Sequence, residues 1–179
     1  MTDNNLQALL DKQEITELLH NYCRALDRGD SKLLVSLFHP DSVHEMAGFK
    51  GSSVDFCGFA MDAIDVFEFT HHLLGNVLIE LEGDSATSEC YFHAFHRIAA
   101  DTVAEGGVLS DHTPGIDEDL LLGGRYIDRL VRHQGQWKFI QRAGVMDWCR
   151  WEPVVEKNFF GLGVTPYGSR GSSDPSALF

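Results

Sequence analysis

The chain lacks the features that mark nucleic-acid-binding, membrane and secreted proteins. Its 14 Lys and Arg residues stand against 27 Asp and Glu residues, which gives a net charge of −13. Nucleic acids and anionic membranes bind through basic surfaces, so this balance argues against both as partners. No apolar run is long enough to span a bilayer, and residues 1–5 are polar and unlike a secretory signal. We therefore predict a cytoplasmic protein.

Cysteine is also scarce, and glycine forms no phosphate-binding loop. The four cysteines, Cys23, Cys57, Cys90 and Cys149, include no Cys-x-x-Cys pair, so the usual zinc-site spacing is absent. The two Gly-Gly pairs at 106–107 and 123–124 do not have the pattern of a phosphate loop. These absences favour buried thiols in a reducing compartment and a protein that needs no cofactor.

What is present is the composition of one globular domain. The chain has 179 residues, of which 44% are hydrophobic and 23% are charged, enough for a real core. Apolar residues at helical spacing predict a helix over 6–29, ended by Gly29, in which Asp11 is a candidate cap for a second helix. The later predicted elements are a short helix at 32–38, a strand at 41–46, a turn at 49–51, a helix at 53–69, strands at 77–81 and after the turn at 82–84, a long loop at 101–122, and strands at 124–132 and 137–148. This order predicts an α+β fold, in which N-terminal helices wrap a curved antiparallel or mixed sheet into a cone with one deep pocket.

Histidines cluster around the first long strand. His71 and His72 stand before residues 77–81, whose alternating apolar residues predict a half-buried strand. His93 and His96 follow in the next strand, on opposite faces if that strand is regular. Most histidines are surface or satisfied core residues, so proton transfer requires a partner carboxylate.

Asp27 is an acid in an unfavourable position. It lies in the last turn of the first predicted helix, where the helix dipole disfavours negative charge, yet it follows the apolar face one turn after Cys23. A local turn or capping role with Arg28 is one explanation. Pairing with a distant histidine is the other.

Several segments together resemble the SnoaL-like family of the nuclear transport factor 2-like superfamily. They are Glu14–Leu18, Asn21–Asp30, Phe38–Val43, Thr70–Asn76, Gly124–Tyr126, Gly135–Phe139 and Asp147-Trp148. Their order and spacing carry the resemblance over residues 8–153. Within the family the chain is most similar to scytalone dehydratases and hexachlorocyclohexane dehydrochlorinases. It departs from the latter, which have an arginine near the end of the last strand, where this chain has Met146-Asp147-Trp148.

The resemblance implies an Asp–His dyad inside the cone. Asp27 matches its acid, and the spacing to Asn76 matches His72 to its histidine better than His71. His72 is then expected to act as general base, while Asp27 orients its ring and stabilises the imidazolium. The candidate substrate-binding residues are Tyr22, His44, Tyr91, His93, Arg125 and Trp148. A metal site built from Asp27, His71, His72 and His93 is conceivable, but we predict none.

These expectations favour a cofactor-independent lyase of the dehydratase type, which takes a proton from a small, largely apolar cyclic substrate. The alternatives are an isomerase or polyketide-cyclase-like enzyme, a proton shuttle with the acid alone as base, and a non-catalytic ligand-binding or assembly module. By resemblance we also expect a homo-oligomer, either a dimer or a trimer. The core domain is expected over residues 1–153. The tail, residues 154–179 with Phe159 and Phe160, is expected to pack over the pocket or a neighbouring subunit.

Overall fold

A computed structural model describes residues 3–46, 48–103, 109–155 and 168–178. Its elements are α1 (Asp3–Arg28), α2 (Ser31–Ser36), β1 (Phe38–Met46), β2 (Phe49–Ser52), α3 (Ser53–Asp65), β3 (Phe69–Glu82), β4 (Ser85–Ile98), β5 (Glu118–His133) and β6 (Gln136–Pro153), with short 3-10 turns at Gly171–Ser173 and Pro175–Leu178. The strand order is β2-β1-β6-β5-β4-β3, with β1 parallel to β6 and the other neighbours antiparallel. The predicted α+β fold is confirmed. In these ranges, no helix is long and apolar enough to cross a membrane.

Helix α1 contributes the longest apolar stripe of the core. Ile15, Leu19 and Tyr22 recur at helical spacing, and all three are fully buried against the sheet. The helix is continuous, so the prediction that Asp11 begins a second helix is wrong. Asp11 is instead buried inside α1, where it forms an ion pair with Arg132 of β5.

The four long strands follow one another as antiparallel hairpins, as predicted. The turn between β5 and β6 has positive φ at both Gln134 and Gly135, the geometry that suits a two-residue hairpin. Strand β3 contains a bulge between Gly75 and Leu78, and Asn76 takes a φ of 50° there. A bulge shifts the alternation by one residue. Even-numbered side chains of β3 therefore face the core before the bulge, and odd-numbered side chains face it afterwards.

Several predicted boundaries are wrong because tertiary pairing extends the strands. Residues 49–51, predicted as a turn, form strand β2 against β1. Strand β3 begins at Phe69, so the adjacent histidines lie within a strand and not before it. Strand β5 begins at Glu118, which shortens the predicted loop at 101–122, and β6 continues to Pro153. Residues 104–108 of that loop and 156–167 of the predicted tail lie outside the described residues.

A buried ion pair anchors β5 to β6 beneath the helices. Arg142 donates to both carboxylate oxygens of Asp128, at 2.7 and 2.8 Å, and both side chains are fully buried. Ser88 of β4 also donates to Asp128 at 3.1 Å. The guanidinium lies 4.1 and 4.4 Å from the ring centroids of Tyr22 and Tyr126. Bidentate geometry and aromatic faces are the setting in which a buried guanidinium is tolerated.

We predict that Asp128→Ala lowers the free energy of unfolding by about 3–5 kcal/mol, because it leaves the Arg142 charge buried and uncompensated. Urea unfolding followed by circular dichroism measures the change. The matched control is Asp84→Ala, since Asp84 forms an exposed ion pair with Arg132. Equal effects of the two substitutions would contradict this assignment.

Candidate active site

Asp27 lies in the last turn of α1, which Gly29 terminates. Gly29 has a φ of 64°, and the N–H of Asp30 donates to the carbonyl of Ala25 at 2.8 Å, closing the helix as Gly-capped helices close. Asp27 itself is buried. A carboxylate here faces the negative end of the helix dipole, so its charge must be stabilised from outside α1.

Strand β3 supplies that stabilisation through three hydrogen bonds to one carboxylate. The Thr70 hydroxyl donates to Oδ1 of Asp27 at 2.9 Å, and the backbone N–H of His72 donates to Oδ2 at 2.9 Å. The third bond joins the His72 ring, through Nδ1, to Oδ1 at 2.7 Å. Thr70 and His72 contribute together because alternate residues of a strand point to the same face. His71 points to the other face and is exposed.

The contacts keep Asp27 ionised and fix the tautomer of His72. Burial by itself raises the pKa of Asp27, but the hydrogen bonds and charge of His72, and then the Thr70 hydroxyl, hold that pKa below its ordinary value of 3.8. An ionised Asp27 accepts a hydrogen bond from Nδ1 of His72, so Nδ1 carries a hydrogen, and Nε2 is the nitrogen left to act as a base. The His72 side chain is only 7% exposed, and it lines the cavity described next.

A cavity of about 230 Å³ lies between the helices and the sheet, with His72 in its wall. The lining residues are mostly aromatic or aliphatic: Tyr22, Leu26, Met46, Phe56, Phe59, Ala60, Ala63, Ile64, Phe67, Phe92, Ala94, Leu122, Tyr126, Gly144, Val145 and Met146, together with His72 and His96. Among the described residues that line it, none is Lys, Arg, Asp or Glu. The cavity therefore suits an uncharged, apolar ligand with few polar groups.

A second histidine, His96, faces the same cavity and was not among the predicted site residues. Its ring lies edge-on to the His72 ring, with 5.5 Å between the centroids. Burial, and then the charge of His72, lower the pKa of His96 to about 3, so its ring is neutral at physiological pH. Nδ1 of His96 is buried without a hydrogen-bond partner among the described residues. The alternation of Phe92, Ala94 and His96 was the available signal, because apolar residues mark the inward face.

Two of the predicted substrate-binding residues, Tyr22 and His44, differ in whether they line the cavity. Tyr22 lines the cavity, and its buried hydroxyl has no hydrogen-bond partner within the described ranges. Burial raises its pKa, so the phenol stays protonated and can donate. His44 is buried but does not line the cavity. Its ring stacks on Phe56 with 3.3 Å between centroids, and Phe56 lies on the cavity wall.

The structure places Tyr91, His93, Arg125 and Trp148 on the opposite face of the sheet, so the prediction that they face the cavity is wrong. Tyr91 and His93 alternate with the inward Phe92 and Ala94 and are exposed, and the His93 ring contacts Trp148. Arg125 forms exposed ion pairs with Asp147 and Glu89. The physical reason is strand alternation, which sends every second side chain away from the core.

The metal site considered from the sequence does not assemble. His71 and His93 are exposed on the outer face, away from Asp27 and His72. Across the described parts of the chain, no group of three or more His, Cys, Asp or Glu side chains is arranged to hold a metal ion.

Comparisons with known proteins agree with this architecture. Residues 7–143 match the family profile of the SnoaL-like domain. No curated protein sequence matches the chain significantly. Among solved structures, a Novosphingobium aromaticivorans protein, provisionally assigned as a scytalone dehydratase, is 26% identical with a TM-score of 0.65, covering 90% of this chain and 98% of its own.

Two further structures share the fold at lower identity. Hexachlorocyclohexane dehydrochlorinase LinA-type3 from Novosphingobium barchaimii is 17% identical with a TM-score of 0.63, over 87% of this chain and 97% of its own. A Nostoc punctiforme protein of unknown function with a cystatin-like fold is 20% identical with a TM-score of 0.58, over 77% of this chain and 92% of its own.

The depressed pKa of Asp27 predicts an acid-sensitive contribution to stability. Because the folded-state pKa lies below the unfolded value of 3.8, the contribution is present above that pH and is lost as the pH falls through the folded-state pKa. We expect Asp27→Asn to be less stable than the wild type at neutral pH by about 1–3 kcal/mol. The difference should shrink below about pH 4. Unfolding in urea at several pH values measures it, with the exposed Asp62→Asn as control, and a pH-independent difference would contradict the assignment.

Proposed function

The chain belongs to the SnoaL-like domain family, and from that premise we propose that it is a cofactor-independent lyase of the dehydratase type. The observation that carries the proposal is the 2.7 Å contact between Asp27 and His72 at the wall of an apolar cavity. The matched structures include a provisional scytalone dehydratase and a hexachlorocyclohexane dehydrochlorinase, which supports chemistry on small rings.

In the proposed reaction His72 is the general base. Nε2 takes a proton from a ring carbon, and the electron pair of the broken C–H bond forms a new C=C bond. The C–O bond to the leaving hydroxyl on the adjacent carbon breaks with its electron pair. The imidazolium proton then passes to this oxygen, so water leaves and neutral His72 is restored. Asp27 holds the ring in the required tautomer and stabilises the imidazolium throughout.

Two other groups are proposed to assist at oxygen atoms of the substrate. The Tyr22 phenol is buried without a partner in the described residues, and its protonated hydroxyl can donate to a carbonyl oxygen on which charge develops. His96 is neutral, so it acts as a hydrogen-bond donor or acceptor and not as a strong acid. Its position beside His72 suits contact with the departing oxygen.

The cavity lining defines the proposed substrate class. Because none of the described lining residues is Lys, Arg, Asp or Glu, the cavity disfavours carboxylated or phosphorylated compounds. Phe56, Phe92 and Tyr126 offer aromatic faces to a ring. We therefore propose an uncharged cyclic alcohol whose C–H bond is activated by a neighbouring carbonyl.

An isomerase is the second candidate, because the same base could return its proton to another carbon. The edge-on contact between His72 and His96 favours the isomerase, since two imidazoles near one substrate can exchange protons at two of its atoms. Products formed in deuterated water separate the two reactions: elimination releases water, whereas isomerisation keeps the substrate mass and can add deuterium.

We expect His72→Gln to lower kcat/KM by about 100- to 10,000-fold, as loss of a general base does. Asp27→Asn should lower it by up to about 10,000-fold, because the ring loses the carboxylate that orients it and fixes its tautomer. The assay follows α-deuterium exchange and enone formation by NMR across a panel of cyclic β-hydroxy ketones. His71→Gln is the matched control, since His71 is the exposed neighbour on the other face.

Two outcomes would overturn the lyase proposal. If His72→Gln keeps most of the activity while Asp27→Asn loses it, the acid alone is the base. If the wild type binds ring ketones but exchanges no proton, the fold serves as a ligand-binding module.

We also propose that the chain forms a homo-oligomer, a dimer or trimer, through the outer face of the sheet. Leu73, Leu78 and Ile127 expose 62%, 66% and 41% of their surface on that face. We expect light scattering to give an oligomer mass for the wild type and a smaller mass for Leu78→Glu. Val54→Glu, at an equally exposed position on α3, should leave the mass unchanged. A monomeric wild type would contradict the proposal.

A further inference from the structure

Residues 168–178, here called the strap, fold around one buried acid. Asp174 is 5% exposed and accepts hydrogen bonds from the backbone N–H groups of Ser169, at 2.9 Å, and Ser176, at 2.8 Å, and from the Ser176 hydroxyl. These bonds, with the charge of Arg28, hold the pKa of Asp174 at about 2. The strap is therefore a locally ordered unit at neutral pH.

The strap is attached to the end of α1 that carries the dyad. Arg28, the residue after Asp27, forms an ion pair with Asp174 at 3.5 Å. Arg24, one turn earlier, donates to the Ser176 hydroxyl at 3.4 Å. The aliphatic part of the Arg170 side chain passes beside Gly29, where α1 ends. Two residues of α1, Arg24 and Arg28, and Gly29 immediately after the helix thus lie against the strap.

The Arg170 side chain extends from the strap to the backbone of Phe67, next to the cavity. Its Nη1 donates to the backbone carbonyl of Phe67 at 3.0 Å, and the Phe67 side chain lines the cavity. Nε and Nη2 of Arg170 are buried, and neither has a hydrogen-bond partner within the described ranges. A guanidinium held by one neutral carbonyl is an expensive arrangement unless nearby anions stabilise the charge.

The two acids whose charges act on Arg170 are Asp65 of α3 and Asp27 of α1, which is two residues before the Gly29 that the Arg170 side chain passes. Burial lowers the pKa of Arg170, and these two acids oppose that shift. The Arg170 charge also contributes to lowering the pKa of His96 of β4, which helps to keep the His96 ring neutral. The groups that interact with Asp27 are His72 and Thr70 of β3, His96 of β4, Cys23 of α1, and Arg170 of the strap. Within this set Arg170 is the permanent cation.

We propose that Arg170 is a positioning residue of the active site, with the strap holding its charge beside the Asp27–His72 dyad. This inference rests on the proposed function of the dyad, and it assigns the C-terminal segment a role in that site. A fixed cation keeps Asp27 ionised to lower pH, which preserves the acceptor that orients His72. It also stabilises the dyad without occupying the apolar cavity.

The test is an NMR titration of the Asp27 carboxyl carbon in the full-length protein, which needs no substrate. We expect Arg170→Gln to raise the pH midpoint of that titration by about half a unit, because a nearby cation is lost. Arg170→Lys keeps the charge and should retain the wild-type midpoint. Arg24→Gln is the matched control, since Arg24 binds the same strap from an exposed position.

A second route tests the strap without changing Arg170. Asp174→Asn removes the acid around which the strap folds, so it should release Arg170 and raise the Asp27 midpoint as well. If Arg170→Gln does not fold, Asp174→Asn still tests the positioning role of Arg170. An unchanged midpoint in the folded Arg170→Gln or Asp174→Asn protein would overturn the inference, as would equal shifts in Arg170→Gln and Arg170→Lys.

Failure of this inference differs from failure of the proposed function. If the dyad is not catalytic, His72→Gln leaves turnover intact while the Asp27 midpoint still responds to Arg170→Gln. If Arg170 has no positioning role, the midpoint stays fixed while His72→Gln abolishes turnover.

Discussion

The structure depends on one buried carboxylate, that of Asp27, whose charge is unfavourable unless it is hydrogen-bonded. Asp27 lies at the negative end of α1 and away from water, two conditions that each disfavour its charge. Strand β3, more than forty residues later in the chain, supplies three donors within Thr70–His72. Helix and strand therefore have to dock at one register for the acid to remain ionised. The bond that satisfies Asp27 is also the bond that fixes the tautomer of His72.

The docking of α1 on β3 also determines which residues surround Asp27 and His72. Because Thr70 and His72 face inward, the register of β3 with β4 sets Ala94 opposite His72 and His96 opposite Thr70. The small side chain of Ala94 leaves open space in front of the histidine ring, and this space belongs to the cavity. His96 enters the cavity one step further along β4. The spacing of two imidazoles around one ligand space is thus a consequence of strand pairing.

The sequence was sufficient for the fold class, for most elements and for the pairing of Asp27 with a histidine, but not for the cavity wall. Apolar spacing in α1 and alternation in β3 and β4 identify local structure, because each reflects burial of one face. The inward face of β4 is readable from Phe92 and Ala94, yet the predicted site residues include the outward His93 and not the inward His96. Arg125 and Trp148 lie on either side of a register shift between Gly123 and Gly124, which local periodicity does not reveal. Tertiary pairing likewise made strand β2 from residues with turn propensity.

Two buried acids in this protein, Asp128 and Asp27, are paired with different kinds of side chain. Asp128 pairs with Arg142, a group that does not release its proton at any physiological pH, so this ion pair can only hold β5 and β6 together. Asp27 pairs with His72, an imidazole, which is the kind of side chain that can act as a general base, and the His72 side chain lines the cavity. The Asp128–Arg142 pair packs against Tyr22 and Tyr126, which line the cavity, and His72 of the other pair lines the same cavity. Under the proposed function, the side chain that meets each acid decides whether that acid serves stability or chemistry.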